Sequence, residues 1–193
     1  MNLPNTCVRF IMWSSHSIKL VDGSEPKRLS PYRLRIVIRG ELDRQIDELL
    51  ESGMIVPSNS PFSHPIVCVT KKGGGIRLCV DFTYLNKGTV SDIFSMPNLE
   101  ELIYEIGQAN YISTLDLTKG YWQVPMEESS QDKTAYVTHR GCFMWKVTPF
   151  GLKNASSTFQ RLTNKLLERH KGYACGYIDD IAVYSNSWEE HVS

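Results

Sequence analysis

Two aspartates stand side by side in the run GYIDDIAVYS, Asp179 and Asp180, with short apolar segments before and after them. Asp is a poor strand former, and neighbouring carboxylates repel unless positive charge sits beside or between them. A chain built this way must either turn at the pair, as the polar tip of a hairpin, or gather a cation around it. A third carboxylate, Asp116, interrupts the otherwise apolar run YISTLDL. One Asp in a strand is more often a ladder end or a bulge than a ligand, but three such breaks, two of them adjacent, constrain the fold together. If the last hairpin lies beside the Asp116 strand, its tip brings all three carboxylates together, and their repulsion then demands divalent cations. Magnesium takes oxygen ligands, usually one or two carboxylates completed by water and substrate phosphates. Two such ions, roughly 3.5–4 Å apart, stabilise both the attacking and the leaving oxygen in phosphoryl displacement.

The rest of the chain supplies the frame. Glu41 to Ser52 carries Leu42, Ile46, Leu49 and Leu50 at helical spacing, with Gly53 suited to the C-terminal cap. PIVCVTKK and IRLCVDF, joined by glycines, predict a hairpin with Lys71 and Lys72 near its tip and Arg77 on the return strand. Pro97 to Ile106 predicts a helix with an apolar stripe of Leu99, Leu102, Ile103 and Ile106. KTAYVT and GCFMWKVT predict a second hairpin. Ser156 to Arg169 predicts a helix burying Phe159, Leu162, Leu166 and Leu167 behind the polar start NASS. Residues 1 to about 30, rich in Ser, Asn and Pro, read as irregular, the first 20 as a flexible tail.

Composition narrows the partners only locally. Lys plus Arg equals Asp plus Glu at 21 each, so net charge points to no partner, and any nucleic-acid grip would be local and weak, with a modest salt dependence. Yet Pro26 to Gly40 holds five basic residues (Lys27, Arg28, Arg33, Arg35, Arg39) and no acid, the pattern of a phosphate-facing edge or of solvated charge. The five cysteines (Cys7, Cys68, Cys79, Cys142, Cys175) make no C-x-x-C pair and suggest neither a zinc site nor a disulfide framework, and their odd count fits a reducing compartment. No apolar run reaches the roughly 18–20 residues of a membrane span. The expectation is an intracellular chain, cytoplasmic or nuclear, with no membrane partner.

LDLTKGYWQVPM, TPFGLKNASSTFQRL and YIDDIAVYS, in that order and spacing, resemble the three palm motifs of reverse transcriptases, and IVCVTKKGGGIRLCVDF with YLNK resembles their fingers motif. FSMPNLEELI, THRGCFMWKV and PYRL resemble the gypsy type of long-terminal-repeat retrotransposon Pol polyprotein in particular. The resemblance runs from about residue 16 to the end. It implies an α+β right hand with an antiparallel palm sheet and packed helices: fingers at about 21–91 and 124–154, palm at about 92–123 and 155–193. The implied activity is RNA-directed DNA polymerase. A primer 3′-hydroxyl on an RNA or DNA template would attack the α-phosphate of a dNTP, with two Mg²⁺ ions or Mn²⁺ in their place.

The resemblance also implies residue roles. Asp116, Asp179 and Asp180 would be catalytic metal ligands, Asp179 the more direct of the last two, with the backbone carbonyl of Leu117 beside them. Lys71 and Arg77 would hold the triphosphate, and Lys72 would lie toward primer and template. Tyr121 would be a steric gate excluding a ribose 2′-hydroxyl. Phe150 and Gly151 would contact the nucleotide, and Tyr177 the primer end. Thr83 stands where the family carries Arg, Ser156 where Pro is usual, Gly88 where a bulkier residue is expected, and Ile36-Val37-Ile38 replaces a Pro-containing stretch. The family continues into the remaining palm, thumb, connection and RNase H domains, whereas this chain stops at Ser193. The expectation is weak activity or none from the chain alone. The rival reading is an inactive retrotransposon relic, or a co-opted fragment that binds nucleic acid.

Overall fold

The computed structural model describes residues 14–70 and 74–193. Its backbone divides into two compact units: residues 1–91 with 121–155, and residues 92–120 with 156–193. Lys71 and Lys72 lie outside the described residues.

In the first unit, α1 (Arg39–Glu51) turns Leu42, Ile46 and Leu49 inward, as the spacing predicts, while Leu50 is only half-buried. It stops at Gly53, which takes φ 68°, a left-handed conformation open to glycine at no steric cost. β1 (Ile55–Pro57), β2 (His64–Thr70) and β3 (Ile76–Val80) follow, and β2 and β3 form the glycine-tipped antiparallel hairpin. After α2 (Thr83–Gly88) the chain passes through the second unit: α3 (Leu99–Gly107) and β4 (Tyr111–Asp116). It returns through a 3₁₀ turn at Gly120–Gln123, the short α4 (Glu128–Gln131), and the hairpin of β5 (Tyr136–Thr138) and β6 (Gly141–Trp145). The first unit thereby closes a five-stranded sheet in the order β1-β6-β5-β2-β3, mixed because β2 and β5 run parallel. Tyr136, Phe82, Ile46, Ile66, Leu85 and Trp145 fill its core.

The loose segment expected through residue 20 is docked from His16 onward. His16 N–H donates to the Pro125 carbonyl and Ile18 N–H to Ser130 Oγ, and both side chains are buried. The polar composition that reads as a tail is the composition of an edge segment that borrows its hydrogen bonds from a neighbour.

The second unit also holds α5 (Ala155–Leu166), β7 (Ala174–Tyr177), β8 (Asp180–Ser185) and α6 (Trp188–Val192). Its antiparallel sheet runs β4-β8-β7. α5 ends three residues earlier than its periodicity suggests, and Leu166 is exposed. Gly176 lets α5 approach the sheet, because a Cβ there would collide with the Thr163 methyl. Contrary to a buried stripe, α3 has no buried residue, and Leu99 and Ile103 are exposed. Tyr184 Oη donating to Glu105 across 2.5 Å ties α3 to β8. All six residues of β4 are likewise exposed.

The units differ in charge. The first carries 16 Lys and Arg against 11 Asp and Glu, a net of +5; the second carries 5 against 10, a net of −5. The overall zero is the cancellation of two opposite fields.

Candidate active site

The three carboxylates that break apolar strands come together in the second unit. β4 and β8 pair in a register that sets Asp116 directly opposite Asp180. β7 and β8 pair Tyr177 with Asp180, leaving Ile178 and Asp179 as a two-residue turn. The pair is therefore split between a turn and the first position of a strand, which answers the propensity problem: only Asp180 sits in the ladder, and at its end.

The turn is held from two sides. Leu117 N–H donates to the Asp179 carbonyl at 2.9 Å, so the end of β4 and the turn are joined beyond the last strand pair. On the other side, Ile178 N–H donates to Gln160 Oε1 at 2.7 Å. Ile178 itself takes φ 55°, a conformation that a β-branched residue adopts only under constraint.

The Asp179 carboxylate is crowded and poor in donors. Its Oδ1 is buried with no hydrogen-bond partner among the described residues. Burial first, then Asp116, then Asp180, push its pKa above the ordinary carboxylate value. Gly120 closes the pocket: a Cβ there would lie 2.7 Å from Phe159 Cζ and 2.9 Å from Asp179 Oδ1. A buried, acceptor-only oxygen without a donor, beside two further carboxylates, fits a hard divalent cation. Among the described residues no three His, Cys, Asp or Glu side chains are gathered tightly enough to enclose an ion by themselves. The Leu117 carbonyl accepts from Gly120 N–H at 3.0 Å, which leaves it one lone pair for an ion.

The remaining sequence-derived positions fall mostly in the first unit. Arg77 is exposed on β3, opposite Val69. Tyr121 is buried, its ring edge-on to Phe150 at 5.2 Å, and Phe150 is half-exposed. Gly151 takes φ 94° and its carbonyl accepts from Asn86 Nδ2 at 2.8 Å, which fixes the loop after Phe150. Tyr177, in the second unit, is half-buried in β7 beside the turn. Sequence reasoning missed Gln160 and Gly120. A Gln inside a helix reads as surface, and only its 0 % exposure reveals its role.

The chain matches the family model described as "Reverse transcriptase (RNA-dependent DNA polymerase)" over residues 69–193. It is 42% identical over 173 residues to the retrovirus-related Pol polyprotein from transposon opus of Drosophila melanogaster, covering 86% of this chain and 17% of that protein. It is 38% identical to the enzymatic polyprotein of cauliflower mosaic virus (strain Strasbourg), covering 93% of this chain and 27% of that protein. Among solved structures it is similar to prototype foamy virus protease-reverse transcriptase, with a TM-score of 0.83 and 26% identity over 92% of this chain and 24% of the other. The foamy viral enzyme in complex with RNA/DNA hybrid matches with the same TM-score and 25% identity over 92% of this chain and 24% of the other. The chain thus spans less than a third of the curated relatives named here.

These matches, with the α+β architecture, make the chain a member of the reverse transcriptase family. Its relatives include the Pol polyproteins of the Drosophila melanogaster transposons opus and 297. Reverse transcriptases generally use divalent metal ions. No helix among the described residues is long and apolar enough to cross a membrane.

Proposed function

We propose that this chain is the fingers and palm portion of a gypsy-type reverse transcriptase, and that it extends a primer by template-directed nucleotidyl transfer from dNTPs. In this reading the first unit serves as fingers and the second as palm. The observation that carries it is the strand register that sets Asp116 against Asp180, with the unpartnered Asp179 Oδ1 in the adjoining turn.

Asp116, Asp179 and Asp180 would hold two Mg²⁺ ions, or Mn²⁺, with the free lone pair of the Leu117 carbonyl beside them. When bound, those ions lower the pKa of the primer hydroxyl and neutralise charge on the phosphates. The chain's own residues do the positioning. Asp179 Oδ1 is shielded from water beside Gly120 and stands among two further carboxylates, so it gains from a cation brought against it. Arg77, with Lys71 and Lys72, would meet the triphosphate and the primer–template. Tyr121, backed by Phe150, is fixed in orientation and would reject a 2′-hydroxyl by shape, while Phe150 and Gly151 would line the sugar and Tyr177 the primer end. The +5 charge of the first unit suits a polyanion and the −5 of the second suits metal ions.

The test is primer extension on poly(rA)–oligo(dT) with Mg²⁺ and dTTP, using this chain and its Asp179→Ala variant, both shown to be folded. Weak incorporation by the parent that falls by about a hundred- to a thousandfold in the variant is expected, the range for loss of an electrostatic group aimed at the reacting centre. Silence from a folded parent would overturn the catalytic reading for this chain.

A further inference from the structure

Gln160 is fully buried in α5, where a polar side chain needs every hydrogen bond it can make. It makes them all. Oε1 accepts from Ile178 N–H at 2.7 Å, while Nε2 donates to the Gly176 carbonyl at 2.8 Å and to Asn164 Oδ1 at 2.9 Å. Flipping the amide would set acceptor against acceptor at Gly176 and donor against donor at Ile178, so its orientation is determined. The two backbone groups it grips flank Tyr177, immediately before the strained Ile178 and the Asp179 carboxylate.

We propose that Gln160 is a positioning residue: it clamps the Gly176–Ile178 backbone so that Ile178 keeps its left-handed conformation and Asp179 stays aimed at the divalent cations. The inference rests on the ion-binding reading above and deepens it. A β-branched residue at φ 55° relaxes unless its neighbours over-determine it. Two hydrogen bonds hold the turn against that relaxation, one from Gln160 to Ile178 N–H and one from Leu117 N–H to the Asp179 carbonyl. Loss of the first would free the Tyr177–Ile178 peptide, let Ile178 leave its left-handed conformation, and so turn the Asp179 carboxylate that follows it. The second bond alone fixes only the far end of Asp179. Thr163, on the same helix, closes against Gly176 and leaves the β7 backbone no room to follow.

The test uses Gln160→Met, which keeps the volume and removes all three hydrogen bonds. Its control is Leu162→Ala, which damages the same helix core without touching the turn. Each is compared with the parent at an equal distance below its own Tm. Amide hydrogen exchange at Ile178 and Leu117 should rise about tenfold or more in Gln160→Met and stay at the parent rate in Leu162→Ala. Mn²⁺ affinity, read by electron paramagnetic resonance, should weaken about tenfold in Gln160→Met alone. Unchanged exchange at Ile178 would overturn the clamp. Faster exchange with unchanged Mn²⁺ affinity, or equal losses in both variants, would reduce Gln160 to a structural residue and overturn its positioning role. A parent that binds no Mn²⁺ would overturn the ion-binding reading and this role together, while the exchange data would still report whether the clamp exists.

Discussion

Gly120→Ala places one methyl group where the structure has no room for it. The new Cβ would stand 2.7 Å from Phe159 Cζ, 3.2 Å from Phe159 Cε2 and 2.9 Å from Asp179 Oδ1. Gly120 does not occupy the left-handed region, so the backbone itself accepts alanine and the whole penalty is steric. Phe159 is buried and cannot swing away, whereas the Asp179 carboxylate can, at the expense of its orientation. Overpacking of this kind costs about 1–3 kcal/mol. Against it stands a gain of about 0.4–1 kcal/mol from the stiffer unfolded chain. The net loss is at most about 2.6 kcal/mol, which at roughly 2–4 °C per kcal/mol lowers Tm by up to about 10 °C. Differential scanning calorimetry with and without 10 mM-range Mg²⁺ or Mn²⁺ would read both effects. A lower Tm, together with a smaller ion-induced rise than the parent shows, is expected. A Tm equal to or above the parent's, with the ion-induced rise intact, would refute the crowding of Asp179.

Three further outcomes follow from the same geometry. Asp179→Asn should raise the Tm of the ion-free chain at pH 7. Its folded pKa is raised, so the carboxylate form opposes folding as pH rises through that value, and the gain should vanish below about pH 4. Solvent screening holds it to about 1 kcal/mol or less, at most roughly 2–4 °C. Stability should fall as pH drops below about 6.5, because burial lowers the pKa of His64 beneath its unfolded value and the unfolded chain takes up the proton first. His64→Leu should flatten that slope in urea titrations, and an unchanged slope would assign it elsewhere. Tyr121→Val should relax discrimination against ribonucleotides by roughly tenfold or more in incorporation assays, while unchanged selectivity would make Tyr121 a core aromatic only.

The elements that depend on local chemistry were legible in the sequence. Glycines announced the β2–β3 hairpin, periodicity announced α1 and α5, and the aspartates announced a turn beside the Asp116 strand. What escaped depends on tertiary contact. Gln160 is a good helix former on a helix, and nothing local distinguishes a solvated glutamine from one holding a turn. Gly120 reads as an ordinary turn glycine until Phe159 and Asp179 are seen against it. His16 belongs to a polar stretch, and its own backbone hydrogen bonds, to Pro125 and Glu127, reach more than a hundred positions away. The charge balance hid for a related reason. Each unit is built from two separated segments, so the +5 and −5 fields appear only once the segments are assigned. Under the proposed function, a net charge of zero would understate the pull on a nucleic acid, and the salt dependence of binding would follow the first unit's charge rather than the chain's.

The carboxylate cluster is where fold and chemistry meet, and counting bound ions tests it most directly. Mn²⁺ would be titrated by electron paramagnetic resonance into the chain with a template annealed to a dideoxy-terminated primer and the next dNTP. Two ions per chain in the parent, with at least one lost in Asp116→Ala and in Asp179→Ala, is the expected result. Equal ion binding by parent and both variants would contradict the assignment of Asp116, Asp179 and Asp180 as the metal-holding centre.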